Sequence, residues 1–186
     1  MTLVTESFED FLMKNLKKSF EEQEVRVTDE ANFYVFQLLR DFISIERFRT
    51  LSGLGSSEQP LALMVKNAFD APTASEQMWR FVAIGDHSFY ISSFLEGHVN
   101  RKFKDMTYCR NIGSNSYQQS GRLSGNKSLS KLYRELGLNF TELTSVASAA
   151  LNKDKIYNNI ELLKAYRQYL ENGKSELVME LLKKSN

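Results

Sequence analysis

Apolar residues recur at intervals of three and four along most of this chain, and no run of four or more residues alternates apolar and polar as a sheet requires. The spacing predicts eight helices, near 6–22, 29–51, 59–70, 75–98, 105–121, 128–149, 156–172 and 175–184. Punctuation agrees with it. Thr28 or Asp29 caps the second helix, Ser128 the sixth and Ser175 the eighth, while Gly173 stops the seventh. Pro60 reads as a first-turn proline before Leu61, and Pro72 separates that short helix from the next. Thr73 stands three before Glu76, the spacing of a capping box. Val25-Arg26-Val27 is the best strand candidate and is too short to build a sheet.

Most of these helices are amphipathic; in the seventh, Ile160, Leu163, Tyr166 and Leu170 make one stripe. The fourth differs, because from Phe81 to Leu95 only Asp86 carries a formal charge. A helix apolar all round belongs in the middle of a bundle, so the helix near 75–98 is expected at the centre. Asp86 then needs a partner, since a carboxylate taken out of water must be paired or protonated. Arg101, Arg110 and the hydroxyls of Tyr108 and Tyr117 are the candidates. Two readings stay open: a pair that holds the bundle together, or a polar pocket in which Asp86 is acceptor or base and an arginine anchors an anion. Gly85, costly inside a helix, fits close packing against the small residues Gly113, Ser114, Ser116 and Gly121.

Length and composition narrow the class. The chain has 186 residues, 42% hydrophobic and 25% charged, which is globular and fits a single all-α domain over 1–186. One cysteine, Cys109, excludes an intrachain disulfide. No base precedes Lys14, no apolar run approaches a membrane span, and the C-terminal residues carry no lipidation signal; a soluble, cytoplasmic protein is expected.

Catalytic chemistry finds little to work with. His87 and His98 stand eleven apart, about 16 Å along a helix, too far to ligate one ion. No Glu-x-x-His, His-Glu-x-x-His or Cys pair occurs, so neither metal nor other cofactor is expected. There is no Gly-x-Ser-x-Gly, and Gly53-Leu54-Gly55-Ser56-Ser57 lacks the lysine of a phosphate loop. Cys109, within a helix, reads as a small packed hydrophobe.

Gly85-Asp86, then Tyr90-Ile91-Ser92-Ser93-Phe94-Leu95, Tyr108 and Gly113-Ser114-Asn115-Ser116-Tyr117, resemble an uncharacterised bacterial family of small helical proteins with a Gly-Asp dipeptide and a later Tyr-Gly-Tyr pattern. The resemblance runs from about residue 30 onward, implies no reaction or cofactor, and marks Asp86, Tyr108, Gly113 and Tyr117.

The net charge of +1 conceals an asymmetry. Residues 1–93 hold 9 Lys+Arg against 14 Asp+Glu, whereas 94–186 hold 15 against 9. Between Gly97 and Arg134 the bases Arg101, Lys102, Lys104, Arg110, Arg122, Lys127, Lys131 and Arg134 face a single acid, Asp105. The leading expectation is a non-catalytic helical interaction or regulatory protein, docking a protein partner, which can be an acidic one, through its charged faces, with no membrane partner. The candidate binding residues are Asp86, Arg101, Lys102, Lys104, Tyr108, Arg110 and Tyr117. A binder or enzyme for a small anionic ligand around Asp86, Arg101, Tyr108 and Tyr117 is the alternative, and nucleic-acid binding through the basic segment a second.

Overall fold

Leu12, Asn15, Leu16, Ser19 and Phe20 are buried while Met13, Lys14, Lys17 and Lys18 face water, the three-and-four stripe of an amphipathic helix. The same rule builds most of the described elements of the computed structural model, which describes residues 8–43, 60–94 and 106–151. Among the described residues there are seven helices and no strand: α1 (Phe8–Glu22), α2 (Asp29–Ile43), α3 (Leu61–Phe69), α4 (Ala74–Phe94), α5 (Met106–Leu123), α6 (Lys127–Leu138) and α7 (Phe140–Leu151). The helices expected at 156–172 and 175–184 lie outside the described residues. By contacts the chain divides into two units, Met1–Ala150 and Leu151–Asn186. The first is the helical domain that α1 to α7 build.

The helix at the centre is α4. Every residue from Ser88 to Ser93 is buried, and α4 packs against α2, α3 and α5. It runs antiparallel to α5: Ser88 lies opposite Gly113, Gly85 opposite Tyr117, and the Ser120 hydroxyl donates to the Met78 carbonyl at 3.3 Å. A further reversal follows, with Gly121 against Ser130 and Arg134, and Gly137 against Ser114 and Gln118, so α6 runs back alongside α5. The small helix α3 lies across α4 and α5, where Ala68 joins Phe81 and Ile84. Gln77 donates to the Phe69 carbonyl at 2.9 Å and Arg80 to the Asn67 carbonyl at 2.8 Å, holding the end of α3 in place.

Three expectations about helix ends change. The helix expected over 128–149 breaks at Asn139, whose backbone leaves the helical range (φ −100°, ψ 21°) and whose side-chain amide donates to the Glu135 carbonyl at 3.0 Å. The turn swings Phe140 inward onto Gly113, where any side chain at residue 113 would collide with the ring. The cap of α6 is Asn126 rather than Ser128; its Oδ1 accepts from the Ser128 and Leu129 amides at 2.9 and 3.1 Å. Pro60 likewise sits at the cap of α3, one residue before its first turn. Thr28 is the cap of α2, accepting from the Ala31 amide at 3.3 Å. Its own hydroxyl and amide donate to the two carboxylate oxygens of Glu135, at 2.5 and 2.7 Å, clasping α2 to α6.

At the end of α1, the Glu24 amide donates to the Glu21 carbonyl and the Val25 amide to the Phe20 carbonyl, the pairing of a Schellman turn. It requires the left-handed backbone at Glu24 (φ 55°), a conformation glycine adopts freely and glutamate does not. Glu24→Gly should therefore stabilise the domain by about 1 kcal/mol, read as a higher urea midpoint at unchanged slope.

Candidate functional site

Asp86 sits on α4 where α2, α5 and α6 converge. Its Oδ1 accepts from two phenols at once, the Tyr34 hydroxyl of α2 and the Tyr117 hydroxyl of α5, each at 2.7 Å. A third tyrosine, Tyr133 of α6, completes the group: its ring lies edge-on to Tyr34 at 6.0 Å and parallel to Tyr117 at 6.2 Å. Tyr34 and Tyr117 are themselves edge-on at 6.2 Å. Each of the four helices thus contributes one polar-tipped side chain to the middle of the bundle. Tyr117 has no exposed surface, and Asp86 is half-buried.

Local sequence explains the arrangement. Tyr117 approaches α4 closely because residue 85 is glycine: a Cβ there would lie 2.6 Å from two ring carbons. The close-packing role expected for Gly85 is thus filled, though by an aromatic ring rather than by a small residue. Phe140, swung in by the turn at Asn139, packs on Tyr117 at 5.9 Å and on Phe89 at 5.7 Å. Centroid separations of 6.0 to 6.2 Å are those of rings packed directly on one another, so the space between the tyrosines is filled by the rings themselves.

The electrostatics follow from burial beside a carboxylate. Desolvation, and then the charge of Asp86, holds the hydroxyls of Tyr34 and Tyr117 protonated well above the ordinary tyrosine range. For Tyr133 burial, with a smaller contribution from Asp86, pushes the hydroxyl up from 10.0 to about 12. The three phenols stay neutral over the whole physiological range, and the Asp86 oxygen that Tyr34 and Tyr117 reach accepts both of their hydrogen bonds. Two donors on one oxygen of Asp86 tie α2 and α5 to α4, and neither phenol reaches the other carboxylate oxygen.

Of the other residues singled out from the sequence, Tyr108 lies nine positions before Tyr117, about 13 Å along α5 and half a turn around it. It is 48% exposed, so the expected wall of an Asp86 pocket is not there. Arg110 is half-buried on the same face of α5 as Tyr117, two turns away. Arg101, Lys102, Lys104 and His98 lie outside the described residues. Burial pushes the Cys109 thiol up to about 11, in keeping with a packed hydrophobe. Among the described residues no group of three His, Cys, Asp or Glu side chains is placed to hold a metal ion, and no helix is long and apolar enough to cross a membrane.

Tyr34 is the member that sequence reasoning missed. Its signal was its position: it borders the buried stripe Ala31, Val35, Leu38 and Phe42, where a polar tip must find a partner inside the bundle. A second feature emerges on the surface. From Met106 to Arg134 the chain carries Arg110, Arg122, Lys127, Lys131 and Arg134 and no acid. The last four are exposed and make no ion pair with any described residue.

Replacing Asp86 by Ala orphans two buried phenols and should cost about 2–4 kcal/mol of stability, whereas Asn, which keeps an acceptor oxygen, should cost roughly half as much. Urea unfolding of the two variants checks this, and an Asp86→Ala variant as stable as the parent would exclude the hub. Because the tyrosine pKa values are raised on folding, stability is fully present below pH 10.0, the ordinary tyrosine value, and is lost as pH rises toward the folded value of about 12 for Tyr133. Phenolate absorbance of these tyrosines should accordingly appear only together with unfolding. No protein-family model, curated protein or solved structure matches the chain, so the likeness to a Gly-Asp helical family rests on the quoted residues alone.

Proposed function

We propose that this chain is a non-catalytic helical interaction protein that docks an acidic protein surface through the basic face of the α5–α6 hairpin. The observation that carries the reading is the exposed group Arg122, Lys127, Lys131 and Arg134, set in an acid-free stretch and without ion pairs among the described residues. Lys127, Lys131 and Arg134 follow at i, i+4 and i+7, which places them along one side of α6. Arg134 packs its stem against Gly121, the residue before Arg122 at the end of α5. Charges held on rigid helices and left unpaired by the described residues steer an oppositely charged partner and fix its register.

Against this stands the small-ligand reading around Asp86, Arg101, Tyr108 and Tyr117. Its central oxygen is engaged by Tyr34 and Tyr117, its rings fill the space between them, and Tyr108 is on the far side of α5. The interaction reading needs no such space.

A fluorescently labelled polyglutamate peptide, titrated with the full chain across a salt series, tests it. Binding should weaken steeply as salt rises, and should fall at least about tenfold when Arg122, Lys127, Lys131 and Arg134 are all changed to Glu. Equal affinity of variant and parent overturns the reading. Tighter binding to a DNA duplex of matched charge, lost in the same variant, replaces it with the nucleic-acid alternative.

A further inference from the structure

Helix ends prefer charges that oppose their dipole: acids at the N-terminus, bases at the C-terminus. Two ends in this domain carry the reverse. The last turn of α1 holds Glu21 and Glu22 with no base, and Glu24 follows directly. The first turn of α6 begins with Lys127 and has no acid. Each arrangement is unfavourable where it stands, and each has the sign the other lacks.

Their placement keeps them apart within one chain. The Thr28–Glu135 clasp fixes the α1–α2 turn beside the C-terminal half of α6, and Lys127 lies eight residues back, about 12 Å along the helix axis. Around α6, Lys131, Lys127 and Arg134 stand about 40°, 80° and 100° from Glu135, so the basic stripe borders the acidic turn on one side. Glu21, Glu24, Asp29 and Glu30 are exposed and make no ion pair with any described residue. Glu21 and Glu24 also line an open depression of about 610 Å³ with Phe20, Val25 and Arg26, roomy enough to admit long basic side chains.

A surface with neighbouring patches of opposite sign is self-complementary under a two-fold axis, because each patch of one copy meets the other patch of its mate. We infer that the acidic partner of the basic stripe is a second copy of this chain, its α1–α2 turn carrying Glu21, Glu24, Asp29 and Glu30 laid against Lys127, Lys131 and Arg134, twice over in a two-fold dimer. The inference rests on the interaction reading above and names its partner. The dimer is held by exposed charges, so salt dissociates it.

Sedimentation of the full chain reads this directly. A dimer is expected at about 20 mM salt, where screening reaches only on the order of 20 Å, and a monomer at about 1 M salt, where it acts within roughly 3 Å. Changing Lys127, Lys131 and Arg134 to Glu should leave a monomer at low salt, and so should changing Glu21, Glu24 and Glu30 to Lys. Mixing those two variants should restore a one-to-one dimer, since the changed positions again face opposite charges. Lys66→Glu, on α3, should leave the parent dimer unchanged and shows that the effect belongs to the patch. A parent chain that is monomeric at low salt, or variants that fail to recombine, overturns the pairing. If that monomer still binds polyglutamate through the basic face, the interaction reading survives; if it does not, both fall.

Discussion

One oxygen atom of Asp86 organises this domain. Two phenols from different helices donate to it, and a third ring closes against both, so α2, α4, α5 and α6 each have a fixed station relative to that carboxylate. An apolar core constrains helices only by shape and tolerates sliding. A hydrogen-bonded centre in a low-dielectric interior does not, because a slip of one turn strands a buried hydroxyl or a charge. The glycine at 85, the inward turn at Asn139 and the ring of Phe140 all serve to bring Tyr117 to that oxygen.

The helical class, the central helix and the burial of its middle were legible because they depend on periodicity alone. Phe81 to Leu95 with a single charge has no place on a surface. Asp86 was legible for the same reason, and Tyr117 came with it as one of four possible partners. Tyr34 was not, since it lies 52 residues from Asp86 and nothing local to α2 distinguishes it from the chain's other tyrosines. The break at Asn139 escaped because Gly137 and Asn139 are tolerated within helices, and what marks the end of α6 is the turned backbone of Asn139, whose side-chain amide joins its backbone amide on the Glu135 carbonyl. Cap positions one or two residues off, at Asn126 and Pro60, reflect how little sequence separates a cap from a first turn.

The two halves of the charge asymmetry behave differently once placed. On α3 and α4, Lys66 pairs with Asp70 and Arg80 with Glu76, ordinary exposed contacts of small energetic value. On α6 the bases pair with no described residue, and the acids after α1 likewise. The described residues therefore present two neighbouring patches of opposite sign. A total charge of +1 conceals both of them.

The Thr28–Glu135 clasp joins positions 107 residues apart. During synthesis α1 and α2 emerge with their apolar stripes complete while the helix that receives them has yet to be made. Helices α3 to α6 can assemble largely from neighbours in sequence, whereas the clasp of α2 to α6 has to wait until α6 is made. The N-terminal segment is thus the part of this domain that must be kept from premature company while the rest of the chain is still arriving.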